Sequence, residues 1–510
     1  MLHKIILTTT AALFLAACAG SGSQNHEDSQ DLPTPRDTGE DPLPSPVDIL
    51  DIASDAILDT APDAIPETVP DMAPDKTPDT EPLPPIEPAV CGLKPYEWLG
   101  PDQVGETLHW EESVMTNVTP EFIKETLGQA GYDKLEGIEH TVRNFKLRYT
   151  TQDKGAPIEA TGMVGIPIDV EDAGPLPVLL WLHPTMGFSD ACAPSADPLA
   201  GPGQTSILSS LGYITVAPDY IGMLGFGEPS PEGSIHPYLI AEPTALASLD
   251  AVRAALAYLA ADPDLPDGDP NRIVLWGGSQ GGHACFVTER YQPHYAPELD
   301  IVAVAAAIPV TDHLAQAEYG LLNWSDTTLG LAGTLVAMQA WYGIGDLTDI
   351  LTDEEPGFIA STAPVVMAGG CSDGAIFDGV DSLEGIYTET IRKAAADGTL
   401  RDLDPWGCFL AESSVDRMQI PRISDAPFLA TFGENDNLVQ TSVELAAMAR
   451  YCAEGYEIEY LNCAGLNHVQ AGVSTLHYMH KWTTARLAGE DWPGAAICSS
   501  QEPVDCDILN

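Results

Sequence analysis

Arg272-Ile-Val-Leu-Trp-Gly-Gly-Ser-Gln-Gly-Gly-His283 is an apolar, β-branched run that empties into Gly277-Gly278-Ser279-Gln280-Gly281. A strand that turns directly into a helix holds the residue at the turn in a strained conformation, and only small flanking residues leave room for the chain to fold back. Gly277 and Gly281 supply that room, and the run from Gly282 to Glu289 suits a helix. The segment therefore reads as strand, sharp turn and helix, with Ser279 presented as a nucleophile. The plainer alternative is a glycine-rich turn whose serine only caps the helix.

A serine at its own pKa is a weak nucleophile, so it needs a base within hydrogen-bond reach, and the base needs an acid to hold its tautomer. For a nucleophile on such a turn the chain order is serine, acid, histidine. The apolar run Pro427-Phe-Leu-Ala-Thr-Phe432 is followed by Gly433-Glu-Asn-Asp436-Asn-Leu-Val439, which puts carboxylates just past a strand end. Asp436 is preferred to Glu434 because it is later in the turn and its short side chain suits a fixed orienter. Past the next β-rich run, Cys463-Ala-Gly-Leu-Asn-His468 places an imidazole at the same edge, which makes His468 the base. His283 lies one helical turn beyond Ser279 and reads as a packing neighbour, while His313 precedes the acid and breaks the order. Donors for a developing oxyanion are expected from the backbone N–H of Gln280 and from the loop His183-Pro-Thr-Met-Gly187, with Thr185 preferred and Met186 next.

Outward from this centre, Val142 to Tyr149 and Ala160 to Ile166 flank the turn Asp153-Lys-Gly155 and read as an antiparallel hairpin. The texture then changes to near-continuous apolar or β-rich runs: 177–183, 213–217, 272–276, 301–308, 427–432 and 456–461. Such runs belong to parallel strands covered on both faces. Helical stretches such as Thr244 to Ala261 lie between them, so the expected fold is α/β with a mostly parallel, doubly wound sheet. From His313 to about Ser424 the strand signal stops, and residues 313–424 read as an inserted helical cap over the site.

Near its start the sequence has Lys4, an apolar stretch from Ile5 to Leu15, and Leu15-Ala16-Ala17-Cys18. Residues 1–17 read as a secretion signal, and Leu-Ala-Ala-Cys resembles the lipobox of bacterial lipoproteins, in which the cysteine is lipidated. Cys18 is thus the expected lipid anchor, and with Ala19 rather than an aspartate next to it, that resemblance implies the outer membrane. No later stretch is read as membrane-spanning. Within 18–90, residues 20–90 hold 17 acidic side chains against Arg36 and Lys76, frequent prolines and no aromatic residue, which cannot bury a core. The segment 18–90 reads as a self-repelling stalk, lacking the glycines and ligand register of a calcium-binding repeat. Residues 91–510 are left for one large domain. A net charge of −55 makes nucleic acid an improbable partner and disfavours anionic substrates.

Ten cysteines become nine once Cys18 is lipidated, leaving an odd one, expected to be Cys285 buried on the helix after Ser279. Proximity in sequence suggests Cys452 with Cys463, Cys498 with Cys506, and Cys371 with Cys408. Zinc-ligand spacing is absent.

Val216-Ala-Pro-Asp-Tyr220, His236-Pro-Tyr-Leu239, Leu249-Asp-Ala-Val-Arg-Ala254, Trp276 to Gly282, Gly433 to Val439 and Gly465-Leu-Asn-His468 occur in this order. Over about residues 140 to 490 this series resembles α/β-hydrolases of the secretory lipase type, the fungal lipase A-like family and its bacterial relatives. The resemblance implies an α/β-hydrolase fold with a helical cap and a serine carboxylester hydrolase without cofactor, acting on small-molecule or lipid esters, with Ser279, Asp436 and His468 at the catalytic positions. The family's usual His-Gly before the oxyanion loop is His183-Pro184 here. Two rival expectations stand beside it: a prolyl-oligopeptidase-like peptidase, for whose propeller no segment is available, and a non-catalytic surface binding protein.

Overall fold

The computed structural model describes residues 91–170, 174–371, 374–490, 492, 497–499 and 502–506. The expected leader, Cys18 and the acidic segment lie outside the described residues.

Among the described residues, nine strands form one mixed sheet: β1 (Thr107–Glu112), β2 (Val142–Asp153), β3 (Ala156–Pro167), β4 (Leu176–Leu182), β5 (Ile214–Pro218), β6 (Gly268–Gly278), β7 (Ile301–Ala307), β8 (Phe428–Gly433) and β9 (Ile458–Cys463). Their order is β1-β2-β3-β5-β4-β6-β7-β8-β9. The pairs β1–β2, β2–β3 and β3–β5 are antiparallel, and every pair from β5 to β9 is parallel. The α-helices are α1 (Pro120–Gln129), α2 (Ala200–Ser209), α3 (Ala241–Ala261), α4 (Gln280–Tyr295), α5 (His313–Leu322), α6 (Asp326–Tyr342), α7 (Ile359–Gly369), α8 (Glu389–Ala396), α9 (Trp406–Ser413), α10 (Thr441–Ala453), α11 (His468–Ser474) and α12 (Leu476–Ala488).

Alternation along each strand explains the two faces. Val178, Leu180 and Leu182 of β4 join Ile273 and Leu275 of β6 in a core packed under α3, α4 and α10. Leu179 and Trp181, with Val274 and Trp276, point the other way into a core closed by α1, α2 and α12. A strand that must be apolar on both faces has no polar alternation, which is why these segments read as continuous apolar runs. Helix α3 is long and apolar enough to cross a membrane by length and composition, contrary to the expectation that no stretch after the leader would be. It is instead a core helix, with Leu246, Leu249 and Val252 buried against the sheet.

The hairpin β2–β3 is longer than its apolar pattern suggests. Lys154 (φ 49°) and Gly155 (φ 71°) both take left-handed backbone, the two-residue turn whose twist suits paired strands, and pairing runs out to Asp153 opposite Ala156. The added residues Thr151 and Gln152 are polar yet buried: Thr151 Oγ1 donates to Asp250 and Gln152 Nε2 to Tyr295 Oη, each at 2.7 Å. Strand β1 escaped the sequence reading because Thr-Leu-His-Trp-Glu-Glu is an edge strand with largely exposed side chains.

Between β7 and β8 the described residues form the five helices α5 to α9 and short 3-10 turns around a second core of their own, including Leu335, Met338, Ile359, Trp406 and Phe409. Helix α6 starts with a Ser325/Thr328 capping box and stops at Gly343 in left-handed conformation (φ 70°).

Cys285 is free and buried. The three guessed pairings are corrected: the disulfides join Cys91 to Cys408, Cys192 to Cys371, Cys452 to Cys498 and Cys463 to Cys506. Strand β9 separates Cys452 from Cys463. Cys452 lies at the end of α10, before the strand begins, and Cys463 ends it; six residues at about 3.3 Å each put them far beyond disulfide reach. Of the C-terminal residues described, 498 and 504 lie beside β9 in the same order as its own residues, with Cys498 N donating to Ile458 O and Val504 bridging Cys463. Cys498 and Cys506 therefore face opposite ends of β9 and cannot meet. Cys371, after α7, is bonded to the loop that follows β4, and Cys408, on α9, to the arm that precedes β1.

Candidate active site

Ser279 sits between β6 and α4 at φ 56°, ψ −115°, conformational space that a non-glycine residue occupies only when its surroundings enforce it. The surroundings are tight. A Cβ on Gly277 would lie 2.3 Å from Gly281 O, and one on Gly281 would lie 1.8 Å from Leu182 O. Any side chain at either position would push strand and helix apart. Ser279 N donates to Ala307 O of β7 (2.9 Å), and His283 N donates to Ser279 O (3.0 Å), so the elbow is anchored on both sides.

The turn after β8 presents Asp436. Its Oδ1 accepts from Leu438 N (3.0 Å) and Val439 N (2.9 Å), which fixes the carboxylate and leaves Oδ2 free to face the histidine. His468 is the first residue of α11, whose start is held by a capping box between Asn467 and Gln470. The Nδ1–H of His468 donates to Asp436 Oδ2 at 2.6 Å, and Nε2 lies 2.9 Å from Ser279 Oγ. With Nδ1 protonated, Nε2 carries the lone pair and accepts the serine hydroxyl. All three side chains are buried. Glu434 points elsewhere, its Oε2 accepting from Gly465 N at 2.7 Å, so it ties the acid turn to the histidine loop.

The other two candidate histidines pair with each other, His313 Nε2 to His283 Nδ1 at 3.1 Å. Burial penalises their cations, holding His283 well below its usual pKa and His313 down to about 3. Both are neutral at ordinary pH, and His313 forms part of the wall beside Ser279.

Gln280 opens α4 directly after the serine. Its side-chain Nε2 donates to His236 Nε2 at 2.6 Å, and His236 Nδ1 donates to Ile221 O at 2.9 Å. His236 lies parallel to the Tyr220 ring, and desolvation pushes its pKa down to about 3, so it stays an acceptor for the amide. Thr185, on the loop after β4, shares a hydrogen bond with Tyr238 Oη (2.8 Å). His236 and Tyr238 were not singled out as site residues in the sequence. The motif His236-Pro-Tyr-Leu239 was visible there, but the contacts span 44 and 53 residues and leave no local periodicity.

Ser279 opens on a pocket of about 70 Å³ walled by α5, α6, α9, the acid turn and the 238–239 segment. Among the described residues, no group of three or more His, Cys, Asp or Glu side chains is arranged to hold a metal ion. The arrangement can transfer a proton from a hydroxyl to an imidazole beside an apolar cavity.

Comparison with known proteins relates the chain to lipases and esterases. The family model for secretory lipase matches residues 204–323, a stretch that includes Ser279 and Gln280. Lipase A of the fungus Arthroderma benhamiae is 27% identical over 284 residues, 54% of each chain, so the chain spans about half the length of the curated relative it matches. The rice cell wall degrading esterase LipA from Xanthomonas oryzae has a similar structure, with a TM-score of 0.58 and 21% identity over 75% of this chain and 97% of that one. Candida antarctica lipase A superposes with a TM-score of 0.58 at 17% identity, covering 79% of this chain and 86% of its own. The mixed nine-stranded sheet, its flanking helices and these likenesses give the chain an α/β-hydrolase fold and a similarity to the secretory lipases.

Proposed function

We propose that this protein is a serine carboxylester hydrolase. The observation that carries the reading is the unbroken pair of hydrogen bonds from Ser279 through His468 to Asp436 at the mouth of an apolar pocket. His468 Nε2 takes the proton as Ser279 Oγ attacks the ester carbonyl, and Asp436 stabilises the imidazolium that forms. The backbone N–H groups of Gln280 and Thr185 hold the oxyanion, a contribution worth several kcal/mol when the donors are preorganised. His468 then protonates the departing alcohol, and water, deprotonated by the same histidine, resolves the acyl-enzyme. Residues 313–424 act as a cap that shapes the substrate pocket. The protein is secreted and anchored to the outer membrane through lipidated Cys18, with residues 18–90 as the stalk, and its acidity keeps it away from nucleic acid.

The test is hydrolysis of p-nitrophenyl esters from acetate to palmitate by the full chain and by Ser279→Ala. The expected result is ester turnover that the substitution removes while the protein remains folded. Turnover that survives it rules out Ser279. Absence of any serine-dependent turnover favours the peptidase or a non-catalytic binder. Labelling with a radioactive fatty acid that Cys18→Ala abolishes is the expected sign of the anchor.

A further inference from the structure

The pocket beside Ser279 is small and chemically plain. An apolar cavity of roughly 150 Å³ accommodates benzene, so about 70 Å³ has room for about three carbon atoms. Its polar side chains are already engaged within the protein. Thr327 Oγ1 donates to Leu438 O (2.8 Å) and Thr334 Oγ1 to Gly330 O (3.0 Å). Gln316 Nε2 donates to Glu444 Oε1 (2.9 Å), and Gln316 Oε1 accepts from Gln440 N (3.1 Å). Tyr238 Oη is shared with Thr185. His313, the one titratable side chain in the wall besides tyrosine, pairs with His283. The threonine and glutamine side chains of the wall thus make hydrogen bonds within the protein, and most of the remaining lining is apolar.

Helix α6 lays Thr327, Gly330, Leu331 and Thr334 along the pocket, one face of a helix at i, i+3, i+4 and i+7. Thr327 binds the acid turn, so Thr334, two turns on, marks the far direction. Leu410 of α9 also lines the pocket. A Cβ on Gly330 would find Leu438 Cδ1 at 3.6 Å as its one neighbour. A methyl there fits, and anything longer occupies the space of the guest.

We propose that this pocket receives the acyl chain of the substrate, that it accepts short acyl groups of about two to four carbons, and that Gly330 and Leu410 set the limit. The inference rests on the serine-ester reading above. The experiment measures kcat/KM for p-nitrophenyl acetate, butyrate, octanoate and palmitate with the full chain, Leu410→Ala and Gly330→Val, alongside labelling of Ser279 by a fluorophosphonate. The wild type is expected to peak at acetate or butyrate. Leu410→Ala should raise the octanoate-to-butyrate ratio by about tenfold or more, and Gly330→Val should lower butyrate relative to acetate by a similar factor. Because Leu410 also packs in the core of the helical segment, Gly330→Val supplies the arm that leaves that core intact. Labelled Ser279 with a peak at octanoate or longer, or ratios that neither variant moves, overturns the chain-length inference and leaves the hydrolase reading standing. Unlabelled Ser279 with no ester turned over removes both.

Discussion

At the scale of single residues, the proposed site rests on groups whose replacement is expected to be costly. Asp436 holds His468 in one tautomer through a 2.6 Å hydrogen bond, and an amide there would offer a donor where an acceptor is needed. Asp436→Asn is expected to lower kcat by about 10⁴-fold with an unchanged circular dichroism spectrum. Glu434→Gln, two residues earlier in the same turn but bonded to Gly465 N, is expected to change kcat less than tenfold, since its carboxylate does not reach the imidazole. Gly281 tests the elbow itself. With Leu182 O at 1.8 Å from the added methyl, Gly281→Ala is expected to destabilise by about 4 kcal/mol or more, read as a lowered midpoint of denaturant unfolding. A midpoint within experimental error of the wild type would mean that the strand and helix can part at no cost.

At the scale of elements, Glu444 joins α10 to α5, the first helix between β7 and β8. It is fully buried, accepting from Thr311 N at 3.0 Å and from Gln316 Nε2 at 2.9 Å. Desolvation outweighs these hydrogen bonds and raises its pKa from 4.5 to about 7. The unfolded chain releases this proton near pH 4.5 and the folded chain retains it to about 7, so this group's contribution is fully present below 4.5 and is lost as pH rises to 7. Relative to the wild type, Glu444→Gln should therefore gain stability between pH 5 and pH 8, by on the order of 2 kcal/mol. Paired urea titrations at the two pH values check this, and a difference that is flat or of the opposite sign contradicts it.

Across the whole molecule, disulfides connect segments that sheet pairing does not. Cys192–Cys371 ties the loop after β4 to the helical segment between β7 and β8, and Cys91–Cys408 ties the arm before β1 to α9. The first closes a sequence separation of 179 residues, so the Cys192→Ser, Cys371→Ser double variant should lose up to about 5 kcal/mol by chain entropy. Thermal unfolding of the pair of proteins measures it. The net charge of −55 acts in the opposite sense, since compact anions repel. Raising salt from 0.01 to 0.3 M, which shortens the screening length, should therefore raise Tm; a fall would show that screened ion pairs outweigh the repulsion.

The sequence by itself determined the parts whose physics is local. An apolar run of strand length, a glycine-flanked serine, a carboxylate past one strand and an imidazole past the next are each legible within a dozen residues. Because parallel strands point their C-terminal ends to one edge, His468 lies within hydrogen-bond reach of both Ser279 and Asp436. Only the tertiary structure decided the disulfide pairing, the grip of His236 on Gln280 and the emptiness beside Gly330. It also decided which polar residues are buried: Thr151, Gln152 and Glu444 look like surface in the sequence and lie inside. The reason is that distance in space, not spacing along the chain, sets which thiols bond, which buried polar groups are satisfied and where a cavity remains.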